Sequence, residues 1–386
     1  MSSDIGCASA RTSYACAKWD DRAARTAQYQ GMRIRPAVLP LVLTASIVVG
    51  CESSSSVPSA APASASAVAS ARPGALTAPW RRIADIPTAR SELAAVVSQQ
   101  QGMVFVIGGF GAPERVELYD PAADRWERAP DLPIGVDHPM AAASEGLQSA
   151  APQGVFVFGG YLGGGNPTAR SFRFDPVAAR WEEIAPMPGP RAAAAAVALG
   201  SSIFIVGGAD GTRLVAPTYE YSVITRQWRS VAAIPTPRDH LAAVAIAGKV
   251  CAVGGRRLSL SLNLATFECY DPSSDAWQRM PDAPTARGGL GAAAYGFRVY
   301  VVGGEQASGT FREVEVFDLP TDAWMRGPDL PTARHGLGVV VVPGMKALDA
   351  AKNLVMTPAR LLVLTGGPTP GGSQTGVCEA IDLPGR

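Results

Sequence analysis

The sequence predicts an all-β repeat fold, and three observations carry that prediction. A hydrophobic run ending in paired glycines occurs six times, as VFVIGG, VFVFGG, IFIVGG, VCAVGG, VYVVGG and LLVLTGG. The first glycines are Gly108, Gly159, Gly207, Gly254, Gly303 and Gly366, spaced by 51, 48, 47, 49 and 63 residues. Each of the first five is followed, 18 to 23 residues on, by a tryptophan: Trp126, Trp181, Trp228, Trp277 and Trp324. Between them stands an aromatic–Asp step, and Asp120, Asp175, Asp271 and Asp318 each precede their tryptophan by six residues.

Each repeat reads as four strands. In the fourth unit, LAAVAIA (241–247) is the inner strand, KVCAVGG the second, ATFECYD the third and AWQRMPD the outer one. Paired glycines, lacking Cβ, permit positive φ or close backbone approach where the second strand ends. The Asp-Pro steps at Asp120, Asp175 and Asp271 suit a turn, the Asp bonding backbone and the Pro fixing φ. Tryptophan fills the widening gap between outer edges while its N–H finds an acceptor. The third unit has Ser222-Val223 in place of Asp-Pro, which weakens one turn and leaves the fold intact.

A period near 50 with this content resembles the Kelch repeat, over roughly residues 77–386. The resemblance implies a six-bladed Kelch-type β-propeller. The sixth unit lacks its tryptophan, because six residues beyond Asp382 lies past Arg386. The missing piece stands at the other end: Trp80 opens WRRIADIPTAR, which matches WMRGPDLPTAR after Trp324. The N-terminal segment is therefore expected to supply the outer strand of the last blade, leaving no exposed ring edge. Such a fold provides a binding surface; it does not name a reaction.

The remainder of the chain reads as a targeting region. Residues 36–50, PAVLPLVLTASIVVG, follow Arg33 and Arg35, and as a helix they span about 22 Å, short of a ~30 Å bilayer core. This is the anatomy of a secretory signal. Its end, Val48-Val49-Gly50-Cys51, resembles the lipobox of bacterial lipoproteins. That resemblance implies lipidation of Cys51, a membrane contact made only by the anchor, and a place in the bacterial cell envelope. Residues 32–50 are then expected to be the signal peptide, 51–76 a Ser/Ala/Pro-rich flexible tether, and 1–31 a mis-called start or a leader ahead of Met32. Net charge is +1, from 34 Lys and Arg against 33 Asp and Glu, and no basic run argues for nucleic acid. Cys251 and Cys269 fall on neighbouring strands of one blade and are expected to be buried small hydrophobes, with a bridge open only in an oxidising compartment. Cys378 is expected to be buried.

Chemistry in a propeller belongs to the channel and its mouths. The inner strands read LAAVV, MAAAS, AAAAAV, LAAVAI, LGAAAY and LGVVVV, so no set of carboxylates converges there for acid–base work. The ionisable candidates stand at the mouths: Glu92, Asp137, His138, Asp239, His240 and His335. His240 lies two residues beyond its PTAR-like arginine and His335 only one. Side chains alternate along a strand, so a three-histidine metal site is not expected, and neither metal nor cofactor is assigned. The copper-radical galactose oxidases are similar in their Kelch-like repeats, but their tyrosine and histidine ligands do not map onto this chain.

The arginines offer the better site. Arg90, Arg191, Arg238, Arg287 and Arg334 lie on connections from outer to next inner strand; Arg115, Arg170, Arg213, Arg256, Arg257 and Arg312 lie on the loops after the second strand. Strand alternation puts both loop sets on one face, eleven arginines against seven acids. The PTAR-like arginines are open to two readings, repeat scaffold or ligand contact; Arg238 and Arg334 join the six loop arginines as candidate ligand-binding residues. A guanidinium fork suits carboxylate, sulfate or phosphate. The expectation is a non-enzymatic module whose partner is a protein or an anionic glycan. The rival is a periplasmic sugar mutarotase resembling the N-acetylneuraminate type, which requires a carboxylate or histidine beside an arginine pair in a closed pocket.

Overall fold

The computed structural model describes residues 76–144, 154–348 and 353–385. The proposed signal peptide, most of the tether and Cys51 lie outside the described residues. Six four-stranded antiparallel sheets follow one another along the chain. We call the strands of each a to d, from channel to rim. Blade 4 is Ala242–Ile246, Lys249–Val253, Phe267–Asp271 and Ala276–Arg279. Inner strands of successive blades touch in a closed cycle, with that of blade 1, Ala94–Ser98, against that of blade 6, Gly338–Val342. Blade 6 takes its b and c strands from Arg360–Gly366 and Thr375–Asp382, and its d strand, Arg81–Arg82, from the other end of the described chain. Arg81 pairs with Ala380 and Arg82 with Glu379.

Burial follows the strand order. The b strands are the buried layer: Val104, Phe105, Val106 and Ile107 have no exposed surface, nor do Val299, Val301 and Val302. The d strands form the rim, and each rim tryptophan reaches back to the preceding blade. Trp126 donates its indole N–H to Ala84 O, Trp181 to Pro130 O, Trp228 to Ala185 O, Trp277 to Ala232 O and Trp324 to Pro281 O. Trp80 completes the series by donating to Pro328 O at 3.0 Å. Six blades and six equivalent indole bonds make the closure a property of the rim as well as of the sheet.

Two sequence expectations need correction. The sixth glycine doublet is offset by one: Thr365 and Gly366, not Gly366 and Gly367, stand where the other units have their pair. Gly304 N donates to Arg334 O and Gly366 N to Arg90 O in the same way, and Thr365 has the positive φ, 50°, of the first glycine. Its hydroxyl, bonded to Arg90 O and Thr375 O, recovers what the side chain costs there. Glycine is needed at the second position because a Cβ on Gly109 would come within 2.5 Å of Ser91 O. The second correction concerns Cys251 and Cys269, which face each other in register and form a disulfide; packing alone did not require the bond. A bridge closing 18 residues is worth about 3 kcal/mol through the unfolded chain. Replacing both cysteines with alanine should therefore lower the free energy of unfolding by roughly 2–4 kcal/mol. Unchanged denaturant midpoints with intact thiols would contradict the bridge.

At the third c–d turn, Ser222 does part of the work of the missing Asp-Pro. Asp120 Oδ1 accepts from the N–H groups of Ala122 and Ala123, whereas Ser222 Oγ accepts only from Thr225. Cys378 is a buried free thiol, as expected.

Candidate functional site: the channel mouth

The connections from each d strand to the next a strand and the loops after each b strand meet on one face. Short antiparallel bridges join them: Ser91 with Phe110, Asp137 with Tyr161, Ala192 with Ala209, Asp239 with Arg256, Gly288 with Glu305, and His335 with Gly367. The next residue of each connection sits in the left-handed region: Glu92, His138, Ala193, His240, Gly289 and Gly336, with φ between 50° and 62°. Their backbones form a closed ring about the channel. His138 N donates to Glu92 O, Ala193 N to His138 O, His240 N to Ala193 O, Gly289 N to His240 O, Gly336 N to Gly289 O, and Glu92 N to Gly336 O. Glycine satisfies such a position without penalty, whereas a residue with a Cβ costs about 1–2 kcal/mol. Three of the six positions nevertheless carry large polar side chains, Glu92, His138 and His240, and all three line the mouth cavity of about 90 Å³. Strain of this kind collects where side chains are used.

A nearly continuous polar network surrounds the mouth. His138 Nδ1 is 2.7 Å from Asp137 Oδ1, and its Nε2 is 3.3 Å from Glu92 Oε2. His240 Nδ1 is 2.6 Å from Asp239 Oδ2, and its Nε2 faces Arg256 Nη2 at 2.8 Å. Arg256 Nη1 donates to Glu305 Oε1 at 2.7 Å. His335 closes the other side, with Nδ1 3.0 Å from Glu92 Oε1 and Nε2 donating to Thr369 O at 3.0 Å. As its register predicts, His335 does not join the other two imidazoles: it is fully buried and bonded to neighbouring loops.

The electrostatics follow from these contacts. Burial works hardest against a charge on Glu92, but His138, His335 and His240 outweigh it and hold the carboxyl below its usual range. Burial pulls the His240 imidazole below its ordinary value despite Asp239, so it is neutral at pH 7 and accepts from Arg256. His335 goes the other way: burial opposes its charge, yet Glu92 and Glu305 raise it, consistent with both ring nitrogens acting as donors. Asp239, though buried, is kept ionised by His240 and by the Leu258 N–H.

The arginines divide into two populations. Arg90, Arg191, Arg238, Arg287 and Arg334 have no exposed surface. Each points into its own blade and binds carbonyls near the glycine doublet, as Arg238 does at Gly254 O (2.7 Å) and Ala252 O (3.0 Å). Four also pair with a buried c-strand glutamate: Arg90 with Glu117, Arg238 with Glu268, Arg287 with Glu315 and Arg334 with Glu379. Arg191 has Tyr219 at the glutamate position and stacks on its ring, 4.2 Å from the centroid. Burial lowers Arg90 and Arg191 to about 10, still charged at neutral pH. Arg238 and Arg334 are therefore scaffold, closed off from a ligand in solvent, which corrects their expected place among the binding residues. With the five removed, six loop arginines stand against seven acids, so the face has an acidic centre and an arginine rim rather than a net positive field.

The loop arginines lie where the sequence places them, with unequal freedom. Arg170 is bidentate on Glu183, at 2.8 and 2.9 Å. Arg115 is half-buried, 4.0 Å from Asp131, and Arg256 is held inside the mouth network. Arg213 is 83% exposed with Asp210 at 3.7 Å, and Arg257 and Arg312 are exposed. Glu305, absent from the ionisable mouth candidates read from the sequence, belongs to the mouth. Its signal was available: it follows a glycine pair at the position Arg256 occupies one blade earlier. The channel beyond is lined by small apolar residues such as Ala142, Ala196 and Ala245, and no carboxylate lines it among the described residues.

Comparison with known proteins agrees with this architecture. The KLHDC2/KLHL20/DRC7 Kelch-repeats domain matches residues 77–255, and the Kelch motif matches 237–284 and 286–331. Beta-scruin of Limulus polyphemus is 30% identical over 140 residues, 34% of this chain and 14% of its own length. Kelch-like protein 38 of Rattus norvegicus is 30% identical over 184 residues, 46% of this chain and 30% of its own. Kelch-like protein 35 of Mus musculus is 32% identical over 111 residues, 28% of this chain and 18% of its own. The chain thus spans less than a third of these relatives. Glycine doublets, rim tryptophans, sheet order and family matches converge: the chain is a six-bladed β-propeller built of Kelch repeats.

Proposed function

We propose that this chain is a non-enzymatic interaction module, held at the bacterial cell envelope by a lipid on Cys51, that binds a protein or an anionic glycan through the loops around its mouth. One observation carries the reading. Arg213, Arg257 and Arg312 are exposed on the loops of three consecutive blades, 3, 4 and 5, and so form one arc of guanidinium forks open to solvent and suited to carboxylates or sulfates. A broad partner fits this arc better than a buried small molecule does. The mouth cavity, about 90 Å³, is well below the roughly 300–1,000 Å³ of small-molecule sites. No arginine lines it among the described residues, and Arg256 alone reaches it, through His240 Nε2, where the mutarotase reading needs a pair.

The test compares three full-length proteins: wild type, the Arg213→Ala/Arg257→Ala/Arg312→Ala variant, and the variant Arg125→Ala/Arg180→Ala/Arg226→Ala, whose arginines stand at the c–d turns on the opposite face. Each is applied to cell-surface extracts and to a sulfated and sialylated glycan array. Partners retained by wild type and by the opposite-face variant, lost in the first variant and weakened by added salt, meet the expectation. Loss in the opposite-face variant alone would assign the wrong face. Anchoring is checked separately. Cys51→Ala should release the protein from membranes or leave it unprocessed, since stable attachment requires acyl chains. Identical fractionation and mature mass for both proteins would exclude the lipid.

A further inference from the structure

The mouth carries a second feature that partner binding does not use. His138 and His240 each give Nδ1 to the aspartate that precedes them, Asp137 at 2.7 Å and Asp239 at 2.6 Å. An imidazole so oriented turns its Nε2 lone pair to the opposite side, the arrangement by which carboxylates position metal-binding histidines. His138 turns its Nε2 toward Glu92, whereas His240 turns its own toward Arg256. Glu92 Oε2 lies 3.3 Å from His138 Nε2, close to the about 3.4 Å edge of a tetrahedron with 2.0–2.1 Å bonds. One ligand atom from each of Glu92, His138 and His240 lies within 4.8 Å of the other two. The side chains of all three are less than a tenth exposed, yet they border the mouth cavity.

We propose that Glu92, His138 and His240 form a binding site for a divalent transition-metal ion, zinc first among them, with Asp137 and Asp239 as positioning residues. Two imidazoles and one carboxylate are a donor set that zinc and its neighbours accept. The ligands come from blades 1, 2 and 4 and stand on three of the six ring positions, where glycine would be the unstrained choice. Purely structural contacts do not require large side chains at those positions, since Gly289 and Gly336 close the same backbone ring without them. The charge balance favours a cation: the four carboxylates of Glu92, Asp137, Asp239 and Glu305 surround the mouth against the guanidinium of Arg256 and the imidazole of His335. The cavity leaves an open coordination position for water or for a ligand atom of a partner.

Arg256 supplies the sharpest test, because it holds His240 Nε2 at 2.8 Å. A metal ion displaces it from that nitrogen, and Glu305 retains it through Nη1 at 2.7 Å. Removing the guanidinium therefore tightens metal binding, whereas a cluster that only knits the loops together would be loosened by the same change.

The experiment uses full-length, untagged protein stripped with chelator. Zn²⁺ is titrated by calorimetry, and Cu²⁺ loading is followed by electron paramagnetic resonance. The expected result is one Zn²⁺ per chain and nitrogen hyperfine coupling from two imidazoles. His138→Asn and His240→Asn should each weaken Zn²⁺ by more than about 100-fold, and Asp137→Asn by about 10–100-fold. Arg256→Ala should bind more tightly than wild type. Circular dichroism in chelator checks that each variant is folded; should a histidine variant unfold, the Arg256→Ala affinity and the wild-type copper spectrum decide alone. Absence of saturable one-to-one binding, or binding that survives His138→Asn with His240→Asn in a folded protein, or weaker binding by Arg256→Ala, overturns the proposal.

Discussion

Arg238→Ala should destabilise the propeller by about 3–5 kcal/mol, the cost of leaving one member of a buried ion pair alone. The guanidinium has no exposed surface and Glu268 is 2% exposed, so the deletion leaves a carboxylate with neither water nor counter-charge. It also frees the carbonyls of Ala252 and Gly254, which its N–H groups satisfy, and buried acceptors without donors are costly. Arg213→Ala, on the same face but 83% exposed, should stay within about 0.5 kcal/mol of wild type. Blade 2 shows an alternative: Val136 stands at the arginine position and Phe172 at the glutamate position, and both are buried. Arg238→Val with Glu268→Phe should therefore be more stable than Arg238→Val alone. Urea denaturation of the four variants decides this, and equal losses for Arg238→Ala and Arg213→Ala would refute the scaffold assignment.

Deleting residues 76–86 should have a still larger effect, abolishing cooperative unfolding and causing aggregation. The segment contributes the outer strand of blade 6, the Trp80–Pro328 bond, and the buried Ile83 and Ile86. Without it the c strand, Thr375–Asp382, becomes an open edge, and open edges recruit other chains. Deletion of 52–74, Ser/Ala/Pro-rich sequence with little to bury, should leave the melting transition where it is. Calorimetry and light scattering of the two deletions report the difference; matching transitions would remove the N-terminal strand from the ring.

How far the sequence could be read depended on the kind of interaction. Glycine doublets, Asp-Pro turns and tryptophans recur because every blade repeats the same backbone geometry, so blade number, strand order and closure by Trp80 were legible. The offset of Thr365 was hidden because LLVLTGG offers two overlapping pairs, and only the carbonyl partners of Gly366 choose between them. The buried role of Arg238 and Arg334 was also written in the repeats. A glutamate stands three residues before the c-strand aspartate at Glu117, Glu268, Glu315 and Glu379, the four units whose arginines pair with it. Where the third unit has Tyr219 the arginine stacks, and where the second has Phe172 there is no arginine. That internal covariation is readable, but the usual exposure of arginine hid it. The mouth cluster was less accessible still. Glu92, His138 and His240 share a position two residues past the arginine site, yet their convergence depends on a six-fold ring bringing blades 1, 2 and 4 around one axis.

Both functional readings require one closed ring with one mouth, and a circular permutant tests that directly. The permutant begins at Pro87 and carries residues 76–86 behind residue 385, so that the outer strand follows the c strand of its own blade as a hairpin, as in the other five blades. The register of Arg81 against Ala380 and Arg82 against Glu379 already places the two segments as antiparallel neighbours. Its thermal unfolding is measured beside that of residues 76–385 in native order and of the 76–86 deletion. A closed ring predicts a monomer with a single cooperative transition within a few degrees of native order, far from the deletion. A permutant as damaged as the deletion would contradict it, and would place the N-terminal strand somewhere other than the sixth blade.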